Sequence, residues 1–327
     1  MKLVRRLAAL ALALLLLPAP ARAAYSDVPE TSWAYESIER ATSLNLIGGV
    51  GKGRFGLKRQ ITRAEYAAML CRLMGWELLA PEPGSFDDNQ DPSAWYYGAV
   101  ETAYAHGALL KLGARAGVTE PLRREELAAM TVRALGYAAL AGVAQGDCPF
   151  DDVTTNRGYV ALAYHMGLMD GARSGKFAPK TIATREQAAV VLLRVYDRLH
   201  AAVEQKTAAA APDGAIRVAS IDSGSGSVPM CPRAPLADVY AAALEAGAGG
   251  AVALNTAPYD ATTGKTITRE RLASLLADKS TKTYRSARYG SSYLTRGSSV
   301  VWYESEDDVA EKVALCRMLG VKTVYLL

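Results

Sequence analysis

Three arginines at equal steps constrain this chain more than any other feature. Arg63, Arg124 and Arg185 stand 61 residues apart, inside Thr62-Arg63-Ala64-Glu65, Arg123-Arg124-Glu125-Glu126 and Thr184-Arg185-Glu186-Gln187. Upstream lie Tyr25-Ser26-Asp27, Phe86-Asp87-Asp88 and Phe150-Asp151-Asp152, followed by Trp33, Trp95 and Tyr159. Between these echoes lie Gly53-Arg54-Phe55, the weaker Gly117-Val118-Thr119-Glu120-Pro121, and Gly175-Lys176-Phe177-Ala178-Pro179. Units of about sixty residues made of two short helices cannot each bury a core, so the three copies are expected to pack as one body.

Each copy reads as helix, loop, helix. In the first, Trp33, Ile38, Ala41 and Leu44 fall on one stripe ending near Gly48-Gly49, and Thr62 can cap a helix whose apolar positions include Tyr66, Met69, Leu70 and Leu73. Trp95, Val100 and Tyr104, then Leu127, Met130 and Val132, repeat the plan, as do Tyr159, Leu162, Tyr164 and Met166, then Ala188, Val191, Leu192 and Val195. The glycine-rich stretch from Gly48 to Gly56 lacks a P-loop lysine pattern, so no nucleotide site is expected. No cofactor and no metal are expected either, because His106, His165 and His200 are far apart.

These residues resemble three S-layer homology repeats, whose pattern is an aromatic-x-Asp start, an aromatic near the first helix, a Gly-x-Phe-x-Pro turn and a Thr-Arg-Ala-Glu opening to the second helix. The resemblance covers Tyr25 to about Leu199. It implies a pseudo-threefold all-helical domain that binds secondary cell-wall polysaccharide non-covalently and holds the protein on the cell surface, in the cell wall or S-layer. In that family the motif arginines line inter-repeat grooves and meet acidic, often pyruvylated, sugar. An arginine fork suits a sugar carboxylate. Arg63, Arg124 and Arg185 are therefore the expected polysaccharide contacts. Trp33, Trp95 and Tyr159 either frame the pockets or pack the first helices, with packing the stronger expectation. The second copy departs from the pattern, with Arg123 for the capping threonine, Val118-Thr119 where Phe is expected, and Ala108-Leu109-Leu110 for the usual glycine ending; the third has Gln187 and Tyr159. One or two competent grooves are expected. Asp27, Asp88 and Asp152 are expected to cap the chain's own amides rather than bind ions.

The start of the chain reads as a secretory signal. Lys2, Arg5 and Arg6 precede an apolar run from Leu7 to Leu17, then Pro18 and Ala21-Arg22-Ala23. Eleven apolar residues fall short of the ~20 that cross a bilayer, so residues 1–23 are expected to be removed, leaving no transmembrane segment. The chain has 37 Lys and Arg against 33 Asp and Glu, and four of the basic residues, Lys2, Arg5, Arg6 and Arg22, leave with the signal. A formally neutral mature chain without a basic, aromatic-bearing stripe argues against a nucleic-acid partner. Cys71 and Cys316 sit in helical patterns and are expected as buried thiols; Cys148 and Cys231 carry no recognisable pairing.

The expected organisation is thus multidomain, all-helical repeats followed by a small α/β domain: signal 1–23, repeats 24–83, 84–146 and 147–204, an Ala-rich linker 205–214, and the α/β domain 215–327. In the last part, strands are expected at Ile216 to Ile221, Ala251 to Leu254, Val300 to Tyr303 and Val321 to Leu326. Helices are expected at Leu236 to Ala246, Arg269 to Ala277 and Asp307 to Leu319, the last capped by Ser305 with Asp308. Such alternation implies partly parallel pairing. Val300 to Glu304, the following helix and Gly320 to Tyr325 resemble the final strand, helix and strand of glycoside hydrolase family 18. That family's Asp-x-x-Asp-x-Asp-x-Glu run is missing here, and about 115 residues fall short of the ~250 of a full barrel. Glu304, Glu306, Asp307 and Asp308 cluster at a helix first turn, where acids are favourable without any catalytic role; Asp222 and Asp260 are weaker candidates still. The expectation is a non-catalytic tail for display or binding. A divergent wall glycosidase and a structural lattice protein are the alternatives.

Overall fold

The computed structural model describes residues 25–172, 175–218 and 232–327. The signal, Asp222 and Cys231 lie outside the described residues. The first repeat contributes α1 (Tyr35–Ser43) and α2 (Arg63–Met74), and the second α3 (Tyr97–Ala105), α4 (Arg124–Ala134) and the short α5 (Ala141–Ala144). The third contributes α6 (Arg157–His165) and α7 (Arg185–Leu199).

Local sequence fixes where the second helices begin. Thr62 accepts the Glu65 N–H at 3.2 Å while Glu65 accepts the Thr62 N–H at 3.1 Å, a reciprocal box that satisfies two otherwise orphaned donors of α2. Gln187 does the same for the Thr184 N–H at 3.2 Å. At α4, Arg123 has no acceptor to offer, and the remaining half of the box is Glu126 accepting the Arg123 N–H at 2.9 Å.

The residue before each cap closes the repeats into one body. Leu122 N–H donates to Ile61 C=O at 2.9 Å, Ala183 to Leu122 at 2.8 Å, and Ile61 to Ala183 at 3.1 Å. All three residues are fully buried, so their backbone groups have to be paired inside the protein, and this ring of three bonds pairs them around a pseudo-threefold axis.

The aspartates that open each repeat cap a distant turn. Asp27 accepts from the amides of Phe55, Gly56 and Leu57 at 2.7, 2.8 and 3.1 Å, Asp88 from Ala116, Gly117 and Val118 at 2.7, 2.8 and 3.2 Å, and Asp152 from Phe177 and Ala178 at 2.9 and 2.8 Å. These bonds correct the sequence alignment of the second turn. Ala116, and not Val118 or Thr119, occupies the position of Phe55 and Phe177.

After α7 the chain does not pass into a linker as the alanine-rich composition suggests. Glu204–Thr207 forms β1, which pairs in parallel with β9 (Thr323–Leu326). Completing that sheet are β2 (Ala215–Arg217) and β3 (Ala251–Leu254), in the order β1-β9-β3-β2 with every pairing parallel. Backbone pairing overrides side-chain composition here, since an edge strand needs only its N–H and C=O groups. Two helices, α8 (Leu236–Ala246) and α10 (Glu306–Met318), pack with the sheet, and their apolar residues join the core of the repeats. Arg317 Nη1 donates to Leu199 C=O at 3.3 Å across that junction.

Between β3 and α10 the chain builds a second sheet. It contains β4 (Tyr259–Asp260), β5 (Lys265–Thr266), β6 (Lys282–Ser286), β7 (Ser291–Arg296) and β8 (Ser299–Tyr303), antiparallel in the order β5-β4-β8-β7-β6. Helix α9 (Arg269–Ala277) covers one face through Leu272 and Leu275 against Leu294 and Val301. The other face aligns Tyr259, Trp302, Tyr293 and Tyr284 in direct cross-strand register. The overall architecture is a helical repeat region followed by a mixed α/β domain. Among the described residues no helix is long and apolar enough to cross a membrane.

Candidate functional site

The motif arginines reach from one repeat into the next. Arg63 donates Nε to Ala116 C=O and Nη2 to Leu110 C=O, both at 2.8 Å. Arg124 makes the same pair of bonds to Phe177 and Asp170 at 3.0 and 2.9 Å, and Arg185 to Phe55 and Gly48 at 2.9 and 2.6 Å. Arg124 and Arg185 also lie over the rings of Phe177 and Phe55. Arg63 and Arg185 are 5% exposed. Burial lowers the pKa of all three guanidinium groups, opposed by the charge of Glu126 beside Arg63, Asp170 beside Arg124 and Glu65 beside Arg185. All three remain cations, since an arginine starts so high. Each therefore presents little more than Nη1 to a groove.

Nη1 meets different neighbours in the three copies. It lies 3.6 Å from Glu126 for Arg63 and 3.5 Å from Glu65 for Arg185, whereas the residue matching those glutamates beside Arg124 is the neutral Gln187.

Trp33 and Trp95 stand at the mouths of two grooves, 67% and 66% exposed. This overturns the expectation that they pack the first helices. Their indoles leave the core because the apolar stripe of each first helix is carried by Ala34, Ile38 and Ala41 in one copy and by Ala99, Val100 and Ala103 in the other. The Trp33 groove is a cavity of about 420 Å³ in which Arg124, Asp170, Gln187 and Arg194 share the walls with Leu127 and Val191. The Trp95 groove, about 390 Å³, is walled by Gly48, Gly49, Arg59, Glu65, Arg72 and Arg185. A side chain on Gly49 would come within 2.7 Å of Tyr25 and of the Arg54 carbonyl, so this turn can be tight only with glycine.

A second arginine series, missed in the sequence, lines the same surfaces. Arg72, Arg133 and Arg194 follow the motif arginines by nine positions and repeat at the same 61-residue step, a signal as regular as the first. Arg133 caps the third groove: its guanidinium lies 4.3 Å from the ring centre of Tyr159 and its Nε donates to the Tyr159 hydroxyl at 3.1 Å. Tyr159 is accordingly half-buried, and the packing expectation holds for it.

The model of the S-layer homology domain matches residues 24–67 and 149–189, parts of the first and third repeats. The chain carries an N-terminal S-layer homology domain of at least two tandem repeats. It is similar to an exoglucanase, XynX, of Acetivibrio thermocellus, at 29% identity over 181 residues, 53% of this chain and 16% of the relative. An endoglucanase of Bacillus sp. (strain KSM-635) is 30% identical over 174 residues, 51% of this chain and 18% of the relative. A cell surface protein of Thermoanaerobacter kivui is 30% identical over 154 residues, 45% of this chain and 18% of the relative. The chain thus spans less than a fifth of the length of these curated relatives. An S-layer homology domain is consistent with a cell-wall or S-layer surface location.

In the α/β domain the acidic cluster divides. Asp308 is fully buried; it completes the capping box with Ser305 and receives Arg285 Nε at 2.9 Å. Glu304 forms a buried ion pair with Lys312, and Ser291 bridges them, accepting from Lys312 Nζ at 2.8 Å and donating to Glu304 at 2.9 Å. Burial pushes the Glu304 carboxyl up to about 7 and pulls the Lys312 ammonium down, each opposed by the other's charge. Glu304 and Glu306 border a cavity of about 450 Å³ with Thr256, Arg269 and Tyr303. Asp260 accepts from the amides of Thr262 and Thr263 at 2.9 and 3.3 Å and so shapes its own turn. Cys71, Cys148 and Cys316 are free buried thiols.

Proposed function

We propose that this chain is a surface protein held non-covalently to secondary cell-wall polysaccharide by its S-layer homology domain. The observation that carries this reading is the pair of open grooves in which an exposed indole, Trp33 or Trp95, stands beside an arginine that bridges two repeats. An exposed aromatic face stacks on a pyranose ring, and a guanidinium takes an acidic substituent, pyruvyl ketals among them. Two of the expected contacts, Arg63 and Tyr159, belong to the groove that Arg133 occupies, so the ligand-facing set is Trp33 and Trp95 with Arg124 and Arg185.

The α/β domain is read as a non-catalytic display or binding module. Supporting this, each acid of its cluster that is buried has a structural partner, Lys312 for Glu304 and Ser305 with Arg285 for Asp308. The likeness to glycoside hydrolase family 18 is confined to the order of β8, α10 and β9, because β9 joins the parallel sheet while β8 lies in the antiparallel one. Two of the relatives are named as an exoglucanase and an endoglucanase, which suits a wall-facing role for this chain without requiring chemistry in its tail.

Cosedimentation with purified cell walls tests the anchoring. The chain without residues 1–23 should pellet with walls that carry the polysaccharide and stay in solution with walls stripped of it; equal pelleting with both would overturn the proposal.

A further inference from the structure

We infer that the free edge of the antiparallel sheet is a self-pairing surface: β6 of one copy pairs with β6 of a second copy, antiparallel, about a two-fold axis at Tyr284. This goes beyond wall anchoring and does not depend on it.

The sheet ends on β6, whose residues from Lys282 to Arg285 are all exposed. It pairs residue for residue with β7, without a bulge, and it contains no proline, so two of the devices that commonly blunt an edge are missing. Which groups the edge offers follows from the alternation of an antiparallel ladder. Ala261 N–H donates to Val300 C=O at 2.9 Å, so Val300 bonds toward β4 and Val301 toward β7. Carried across the sheet, the same alternation turns Leu294 to β8, Tyr293 to β6 and Tyr284 to β7. Thr283 and Arg285 then turn their N–H and C=O groups outward, and among the described residues no backbone group meets them. The ladder of rings runs out at this edge. Tyr293 lies 4.8 Å from Trp302 and 5.1 Å from Tyr284, ring centre to ring centre, and Tyr284, the last of the row, is 43% exposed.

A second copy is the occupant this edge fits. With the axis at Tyr284, Thr283 of each copy lies opposite Arg285 of the other and exchanges backbone bonds with it. The two Tyr284 residues form the close pair between those bonds, with Cα atoms about 4.5 Å apart. The row of rings then continues across the join. Charge agrees with this register. Lys282 falls opposite Ser286 of the other copy, and Arg285, already held by Asp308 at 2.9 Å and by Glu311, falls opposite Thr283. Moving the axis to Arg285 would set two arginines face to face. A two-fold contact closes on itself, so the product is a dimer and not a fibre. One five-residue strand is a small contact beside the ~1,200 Å² that stable pairs bury, so association should be weak in dilute solution and stronger where copies are concentrated.

The test uses the chain without residues 1–23 and with Cys231→Ser, which leaves the three buried thiols as its only cysteines. Sedimentation velocity should show a dimer fraction that rises with concentration up to about 1 mM. Tyr284→Lys sets like charges opposite each other, and Thr283→Pro removes an outward N–H that the single chain does not use; each should weaken the dimer about tenfold or more. Circular dichroism establishes that the variants are folded, and if Thr283→Pro is not, Tyr284→Lys decides alone. On mild oxidation Tyr284→Cys should cross-link two copies several-fold faster than Lys282→Cys, since only the residue on the axis meets its own counterpart. A wild type that stays monomeric throughout, a dimer that the folded variants leave unchanged, or cross-linking as fast from position 282 as from 284 would each overturn the inference. None of these readings uses cell walls, so their failure leaves anchoring standing.

Discussion

The guanidinium of Arg133 lies 4.3 Å from the ring centre of Tyr159 and donates to its hydroxyl at 3.1 Å, whereas that of Arg72, in the same position of the first repeat, makes no hydrogen bond or ion pair among the described residues. One aromatic change, tryptophan to tyrosine, brings a hydroxyl within reach of the arginine and folds the ring inward. The groove then becomes part of the packing, and its residues are expected to matter for stability rather than for ligand.

Arg133→Ala should therefore leave wall binding unchanged and lower stability by about 1 kcal/mol, the loss of one cation–π contact and one partly exposed hydrogen bond. Thermal unfolding read beside wall cosedimentation checks both halves. A binding defect without a stability defect would place ligand in the third groove.

Removing a motif arginine has the opposite balance. Arg63→Met leaves the carbonyls of Leu110 and Ala116 without their donors, and the arginine side chain is 6% exposed, so water cannot replace it easily. A loss of about 2 kcal/mol or more is expected, with the first and second repeats loosening together. Hydrogen exchange at Ala116 and Leu122 should rise relative to the α/β sheet. Unchanged protection there would mean that the backbone ring alone holds the repeats.

Acid should open the capped turns. Partial burial works against ionisation of Asp88, but its three amide donors outweigh that and hold its pKa below the ordinary value, as they do for Asp27 and, with two donors, Asp152. A lowered folded-state pKa gives stability that is fully present above the unfolded value, near 4, and is lost as pH falls through the folded one. The melting temperature should fall below about pH 4, and Asp88→Asn should lose stability at neutral pH by about 1–3 kcal/mol while showing a shallower acid dependence. Parallel pH profiles for wild type and variant would contradict the assignment.

Much of the helical region was legible because its determinants are periodic. The 61-residue step fixed the second helices through their caps, and the aspartates announced their capping role by recurring at the start of every copy. The arginine series at Arg72 was equally regular but carried no motif around it, so its spacing alone had to be read. Trp33 and Trp95 looked like core residues because a large aromatic beside a helix usually is one; their exposure depends on small residues such as Ala34 and Ala99 filling the core in their place. The register of the second turn was misread because Ala116 has no distinctive side chain, and what places it is the backbone bond to Asp88. In the α/β domain the parallel strands were visible as apolar runs. Strand β1 and the hairpin of β6 and β7 were not, since β1 and most of β6 are exposed and polar, β7 opens on two serines that are buried without being apolar, and their pairing is a property of the backbone.

The buried pair of Glu304 and Lys312 gives the last prediction. Lys312 is 1% exposed, and each charge works against the cost of burying the other. Lys312→Met removes the counter-charge and leaves Glu304 facing Ser291 alone, so the α/β domain should lose about 3–5 kcal/mol. Glu304→Gln combined with Lys312→Met removes both charges, and the double variant should be more stable than Lys312→Met by itself, since no buried ion is left unpaired. Denaturant unfolding of the two variants decides the matter. A double variant no more stable than Lys312→Met would mean that the ion pair contributes shape rather than charge compensation at this position, and the Ser291 hydroxyl would then be the group that holds β7, β8 and α10 together.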